Sequence, residues 1–267
     1  MSRSRRLLAG AALGLVIFVA ACASGPGLVR QPDSVVVTIP LSWSNAYLIL
    51  GERPILVDPG SPGDEEALGE ALAAYDVAWE DLALIIVTHG HADHAGAAAA
   101  AVARSGAPLL AGAADRPLLT AGDGGRLKAQ GFEARMIQPF VPKQFPAVTP
   151  TLELAEAPGR TSLDLRAYGV SGEAVLTPGH TEGSLVVLLD GGEAIVGDLF
   201  RGGVFGGRMD ANTPHRHYFH ANAEQAEGVV PALLRRGVTR FYLGHGGPVS
   251  SADAQRRFAP RNQPDPE

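Results

Sequence analysis

The chain has 267 residues, 46% hydrophobic and 19% charged, a globular composition that excludes a disordered or collagen-like polymer. A formal net charge of −6 weighs against a nucleic-acid-binding surface. A single cysteine excludes a disulfide framework and a four-cysteine zinc site.

Arg3, Arg5 and Arg6 form a positive start, and an apolar run of 15 residues follows from Leu7 to Ala21. A membrane-spanning helix wants about 20 apolar residues, so the run suits a signal peptide better. It ends in small residues before the only cysteine, Val19-Ala20-Ala21-Cys22, and this resembles the lipobox of bacterial lipoproteins. Residues 1–21 are therefore expected to be a lipoprotein signal peptide, with Cys22 acylated. The expected location is the cell envelope, lipid-anchored and facing the periplasm. Without the three arginines of that segment the net charge falls to −9. Residues 22–33 read as a flexible tether. Residues 34–255 read as one folded domain, and 256–267 as a disordered tail.

Within the domain, Val35–Ile39, Ala46–Leu50 and Ile55–Val57 have strand character. Asp64–Tyr75 has helical apolar spacing with acids in its first turn. Leu82–Val87 is a buried-strand pattern running into Thr88-His89-Gly90-His91-Ala92-Asp93-His94. An alanine-rich helix is expected over about 94–104, then a short strand at Pro108–Ala111. One helix is expected within 114–130, followed by a proline-rich stretch. Further strands fall at Ala174–Thr177, Leu185–Leu189 and Glu193–Val196. A helix over about 222–236 and a last strand at Thr239–Leu243 complete the pattern.

His89-x-His91-x-Asp93-His94 places four potential metal ligands in six positions. A loop leaving a strand can turn His89 and His91 toward one centre, and the next helix can aim Asp93 and His94 at a second. Imidazoles and carboxylates suit zinc, iron or manganese. Three of the eight histidines fall here, which argues against a chance surface turn. His180, Asp198 and His245 share the same placement at strand-to-loop junctions flanked by glycine. Each alone is weak evidence; together they form a set.

HGHADH, PGHTEGS, GDLF and GHGGP resemble the metal-binding motifs of the metallo-β-lactamase-fold hydrolase superfamily, over about residues 35–250. The resemblance implies an α/β fold, a four-layer αβ/βα sandwich of two mixed sheets flanked by helices. It implies two divalent metal ions, zinc first, with iron or manganese as alternatives. His89, His91 and His180 would hold one ion, Asp93, His94 and His245 the other, with Asp198 bridging. A bridging hydroxide would then be the nucleophile, with Asp93 orienting it and carrying its proton. Asp58 matches a family position beneath the site.

The implied activity is hydrolysis of a small-molecule carboxylic ester, thioester or lactone. A β-lactamase-like amidase, a phosphodiesterase, a mononuclear-iron persulfide dioxygenase-like oxidoreductase and a non-catalytic envelope binding module are the alternatives. Class B β-lactamases generally lack a carboxylate like Asp198. Quorum-quenching lactonases of the superfamily carry a tyrosine three residues after the bridging aspartate, where this chain has Arg201. Two further segments are candidates for shaping the pocket. Pro139–Pro146 is an aromatic, proline-rich loop that could face substrate. His215–His220 gathers the remaining three histidines, with Tyr218 and His220 the expected substrate contacts.

Overall fold

The computed structural model describes residues 34–156 and 159–258. The signal peptide, Cys22 and the tether lie outside the described residues. Strand β1 (Val35–Pro40) turns Val37 and Ile39 inward and pairs antiparallel with β2 (Asn45–Leu50). β3 (Ile55–Val57) returns antiparallel to β2. From there the sheet becomes parallel, because each connection is a helix that must cross one face. Helix α1 (Glu65–Ala73) buries Leu68 and Leu72 and delivers β4 (Leu84–Ile86) beside β3. Helices α2 (Ala92–Ala95) and α3 (Ala98–Ser105) lead to β5 (Leu109–Gly112). Helices α4 (Arg116–Ala121) and α5 (Phe132–Ile137) precede β6 (Leu152–Leu154), the edge of this six-stranded sheet.

The second sheet has the order β14-β13-β10-β9-β8-β7. β7 (Ser162–Asp164), β8 (Gly172–Leu176), β9 (Leu185–Leu189) and β10 (Glu193–Ile195) are an antiparallel meander. β11 (Arg201–Val204) and β12 (Met209–His215) form a separate hairpin. Helix α6 (Ala223–Arg235) then crosses to β13 (Arg240–Tyr242), parallel to β10. β14 (Val249–Ser250) and α7 (Ser251–Phe258) end the domain. One core lies between α1, α3 and the first sheet. A second lies between the sheets, where Ile49, Ile55 and Ile86 meet Val187 and Ile195. A third lies between the second sheet and helices α6 and α7. Helix, sheet, sheet and helix are therefore four layers, the fold expected from the motifs.

Three local expectations are corrected. The alanine-rich helix is broken at Gly96-Ala97, where Pro62 presses on Gly96; a Cβ there would sit 2.3 Å from Pro62 Cδ. The proline-rich stretch after 130 is preceded by a helix, α5, and Gln138–Phe140 continue it as a 3-10 turn. α7 runs past residue 255 to Phe258, whose ring packs 5.0 Å from that of Phe200 and holds the helix to the third core. Residues 259–267 lie outside the described residues. Among the described residues no helix is long and apolar enough to cross a membrane.

Candidate metal centre

The chemistry-bearing side chains stand where strands of both sheets run out. Asp58 follows β3, and His89 and His91 follow β4. His91 precedes the first residue of α2, which carries Asp93 and His94. His180 follows β8, Asp198 follows β10 and His245 follows β13. Gly244 makes the approach of β13 possible, since a Cβ there would lie 2.1 Å from Asp198 Oδ1 and 2.5 Å from His94 Cε1.

Four of the imidazoles are held from outside through Nδ1, whereas His91 Nδ1 lies 3.0 Å from His180 Nε2 within the cluster. His94 Nδ1 donates to Asp58 Oδ2 at 2.9 Å. His180 Nδ1 donates to the Phe219 carbonyl at 2.8 Å, and His245 Nδ1 to the Trp43 carbonyl at 2.9 Å. A carbonyl oxygen can only accept, so in those two rings Nδ1 keeps a hydrogen and Nε2 is the atom left to face an ion. The Thr88 hydroxyl donates to Asp58 Oδ2 at 2.7 Å and lies 3.1 Å from His89 Nδ1. With its own hydrogen committed, that hydroxyl can accept from His89, which frees His89 Nε2 as well.

The freed atoms converge. His89, His91, His180 and Asp198 offer ligand atoms all within 4.8 Å of one another, and so do Asp93, His94 and His245. Asp198 lies between the groups. Its Oδ2 is 3.6 Å from His180 Nε2 and 3.4 Å from His245 Nε2, and its Oδ1 is 3.4 Å from His94 Nε2. His89 Nε2, His94 Nε2 and Asp198 Oδ1 are buried with no hydrogen-bond partner. Orphaned buried polar atoms of this kind are costly unless something else binds them. Neutral imidazoles and carboxylates with exposed electron pairs fit divalent ions of the zinc type.

The electrostatics divide the imidazoles: His89 is held neutral, whereas at His94 and His245 burial is outweighed by Asp198 and Asp93, so a cation there takes the place of a proton. Burial and the neighbouring His94 and His91 push His89 well below its ordinary value. Burial would raise Asp198, but His217, His245 and His94 outweigh it and hold the carboxyl far down. Burial would lower His245, but Asp198 and Asp93 push it up to about 10. Two buried carboxylates thus create a negative pocket that draws positive charge.

The histidine-rich loop reaches the centre, through a residue that the sequence did not single out. His217 Nε2 lies 3.1 Å from Asp198 Oδ2, and its ring stacks on that of His245 with centroids 5.5 Å apart. Tyr218 lines the cavity above the centre, whereas His220 is 1% exposed and packs 5.4 Å from the His180 ring. His215 lies on β12 and lines a second cleft instead. Asp115 was also missed. Its carboxylate accepts from Gly90 N at 2.8 Å, Thr181 Oγ1 at 2.7 Å and Gly183 N at 3.0 Å, tying the His89 loop to the His180 loop. The cavity over the centre measures about 830 Å³, with His91, Asp93, Asp198, His217 and His245 among its lining.

Residues 42–245 match the family model of the metallo-beta-lactamase superfamily. A probable metallo-hydrolase of Methanocaldococcus jannaschii is 30% identical over 208 residues, covering 76% of this chain and 87% of that protein. A hydroxyacylglutathione hydrolase of Acidiphilium cryptum is 30% identical over 227 residues, covering 84% of this chain and 73% of that protein. Among solved structures, a metallo-beta-lactamase family protein of Thermus thermophilus shares the fold with a TM-score of 0.57 at 22% identity, covering 85% of this chain and 79% of that one. With the model match spanning most of its length, the chain belongs to the metallo-beta-lactamase superfamily and is an enzyme of that metal-dependent hydrolase class.

Proposed function

We propose that the protein is a lipid-anchored hydrolase of the cell envelope that holds two divalent metal ions and cleaves a carboxylic ester, thioester or lactone. The convergence of seven donor side chains on one buried centre, three of their atoms left without partners, carries the proposal. His89, His91 and His180 would hold one ion and Asp93, His94 and His245 the other, with Asp198 available to both. Zinc suits the set, and iron or manganese would also fit it. When bound, such ions lower the pKa of water and polarise an acyl oxygen.

The chain's own groups do the rest. Asp93 stands at the cavity floor, its Oδ2 3.3 Å from His245 Nε2, and can hold a proton on its way to the leaving group. Asp58, Thr88, Trp43 and Phe219 fix the imidazole orientations, so little reorganisation is needed on binding. No serine or cysteine nucleophile is required. The relative named hydroxyacylglutathione hydrolase supports an acyl bond as target. Anchoring at Cys22 is proposed from the sequence alone.

A hydrolysis panel on the metal-loaded enzyme, with metal analysis of the same preparation, tests the assignment. Turnover of an ester, thioester or lactone with two zinc ions per chain is expected. Selective turnover of nitrocefin or a phosphodiester would move the target to an amide or phosphate. One iron per chain without hydrolysis would support an oxidoreductase.

A further inference from the structure

The cavity over the candidate metal centre is walled unlike the rest of the surface. Nine large hydrophobic side chains stand exposed among the described residues, and six of them line this one cavity. They are Trp43, Phe132, Met136, Ile137, Phe140 and Phe205. Phe132, Phe140 and Phe205 are 75%, 76% and 73% exposed. A soluble fold leaves single hydrophobic residues scattered on its surface; a ring of them around one mouth marks a binding surface. The ring comes from α5 with the turn after it and from the tip of the β11–β12 hairpin, with Trp43 lining the same cavity. Its floor is the metal centre, so whatever covers the ring presents a reacting bond to that centre.

A cation is set into the same wall. Arg201 is 6% exposed, and its guanidinium carbon lies 4.0 Å from the centroid of the Tyr218 ring. Nη1 donates to the Gly203 carbonyl, and Nε is buried without a partner. No carboxylate of the described residues pairs with it; Glu133, on the same wall, is the acid whose charge it feels. A buried guanidinium without a carboxylate in contact is costly, and a fold can keep one where a ligand brings the anion.

We propose that the cavity takes an amphiphilic acyl substrate, its hydrocarbon chain lying on the ring of α5 and the hairpin tip and its anionic group paired with Arg201. The proposal rests on the hydrolase assignment above and adds the substrate class to it. Apolar contact along the chain supplies affinity, and the guanidinium fixes which end enters.

Calorimetric titration of the full mature, metal-loaded chain with decane-1-sulfonate tests this. The probe has a chain and an anion but no bond to hydrolyse, and sulfonate is a poor metal ligand. Decanesulfonate is expected to bind at least about tenfold more tightly than methanesulfonate or decan-1-ol. Phe132→Ser with Phe140→Ser should abolish the preference for the long chain; both side chains are exposed, so the fold is spared. Arg201→Met should abolish the preference for sulfonate over alcohol, and Arg201→Lys, which keeps the charge, should restore most of it. Equal affinities for decanesulfonate and methanesulfonate would overturn the proposal. So would wild-type affinity in both the double serine variant and Arg201→Met. No turnover is read. A chain that binds the probe but cleaves no acyl bond therefore overturns the hydrolase assignment alone, and one that cleaves esters but ignores the probe overturns this proposal alone.

Discussion

Asp58 and His94 are joined by a hydrogen bond of 2.9 Å between two wholly buried side chains. The same carboxylate accepts from Thr88 N and Thr88 Oγ1, each at 2.7 Å. It thus fixes both His94 and, through Thr88, the side of His89 that faces away from the centre. Asp58→Asn places an amide NH2 where only acceptors belong, so at least one N–H is left facing another donor. Metal affinity should fall roughly 10–100-fold, as outer contacts of this kind typically cost. Competition with a chromophoric chelator measures it, and an unchanged affinity would refute the positioning role.

Removal of metal should lower thermal stability, because ions bind the folded centre and not the unfolded chain. At a free metal concentration of about 100 Kd the gain is roughly 2.7 kcal/mol. A chelator should therefore shift the calorimetric Tm downward in the wild type. Asp198→Asn, which weakens the carboxylate shared by both groups of ligands, should lose activity and most of that shift together. Two tightly held metals with near-normal turnover in this variant would contradict a bridging Asp198.

Gly244→Ala tests how tightly β13 closes on the centre. The new methyl would sit 2.1 Å from Asp198 Oδ1, so the carboxylate, His94 or the strand must move. Overpacking typically costs about 1–3 kcal/mol. Here metal affinity should drop as well, since both displaced side chains face the centre. A variant that melts earlier but keeps full metal affinity would show that the strand, not the ligands, gives way.

His220 offers a pH test. Burial holds its imidazole down to about 4, against an ordinary value of 6.5. The unfolded chain takes up that proton at higher pH than the folded one. The folded state therefore loses stability as pH falls from about 6.5 toward 4, by up to roughly 3 kcal/mol. Both ring nitrogens lack partners, so His220→Phe should cost little at neutral pH and flatten the acid limb of a Tm-against-pH curve. An acid limb as steep as that of the wild type would place the lost stability elsewhere.

Cys22→Ser tests the anchor. The variant should remain unprocessed or appear as a soluble form in cell fractionation. Fully mature Cys22→Ser protein in the membrane fraction would rule out lipidation at this residue.

The metal cluster was legible because its donors sit at strand ends, where a turn frees the side chain from sheet packing. His89, His91, Asp93, His94, His180, Asp198 and His245 could thus be picked out as a group, and the structure brings them together. His217 was not legible. Three imidazoles crowd His215–His220, and contacts distant in sequence decide that the middle one turns toward Asp198. Arg201 looked like a departure from a motif, and only its burial shows it as a cation without a paired carboxylate. Helix α5 was hidden because Pro139 and Pro142 follow it closely and favour a loop reading. Edge strands β7 and β14 are three and two residues long, too short to show alternation. The break at Gly96 lies against Pro62, a contact that no local pattern near residue 96 reports.

The donors come from both sheets: His89, His91, Asp93 and His94 from beyond β4 of the first, His180, Asp198 and His245 from the second. Ions bound there would act as an internal cross-link between two halves of one chain. Asn45 Nδ2 already reaches across to the carbonyls of Leu243 and Gly246, at 3.0 and 2.9 Å, so the seam is stitched before any ion arrives. Neither half carries a full set of ligands, so a fragment cannot inherit the site. Such a chelate would close a loop of 89 residues between His91 and His180 and one of 151 between His94 and His245, and its entropic advantage would belong to the intact chain alone.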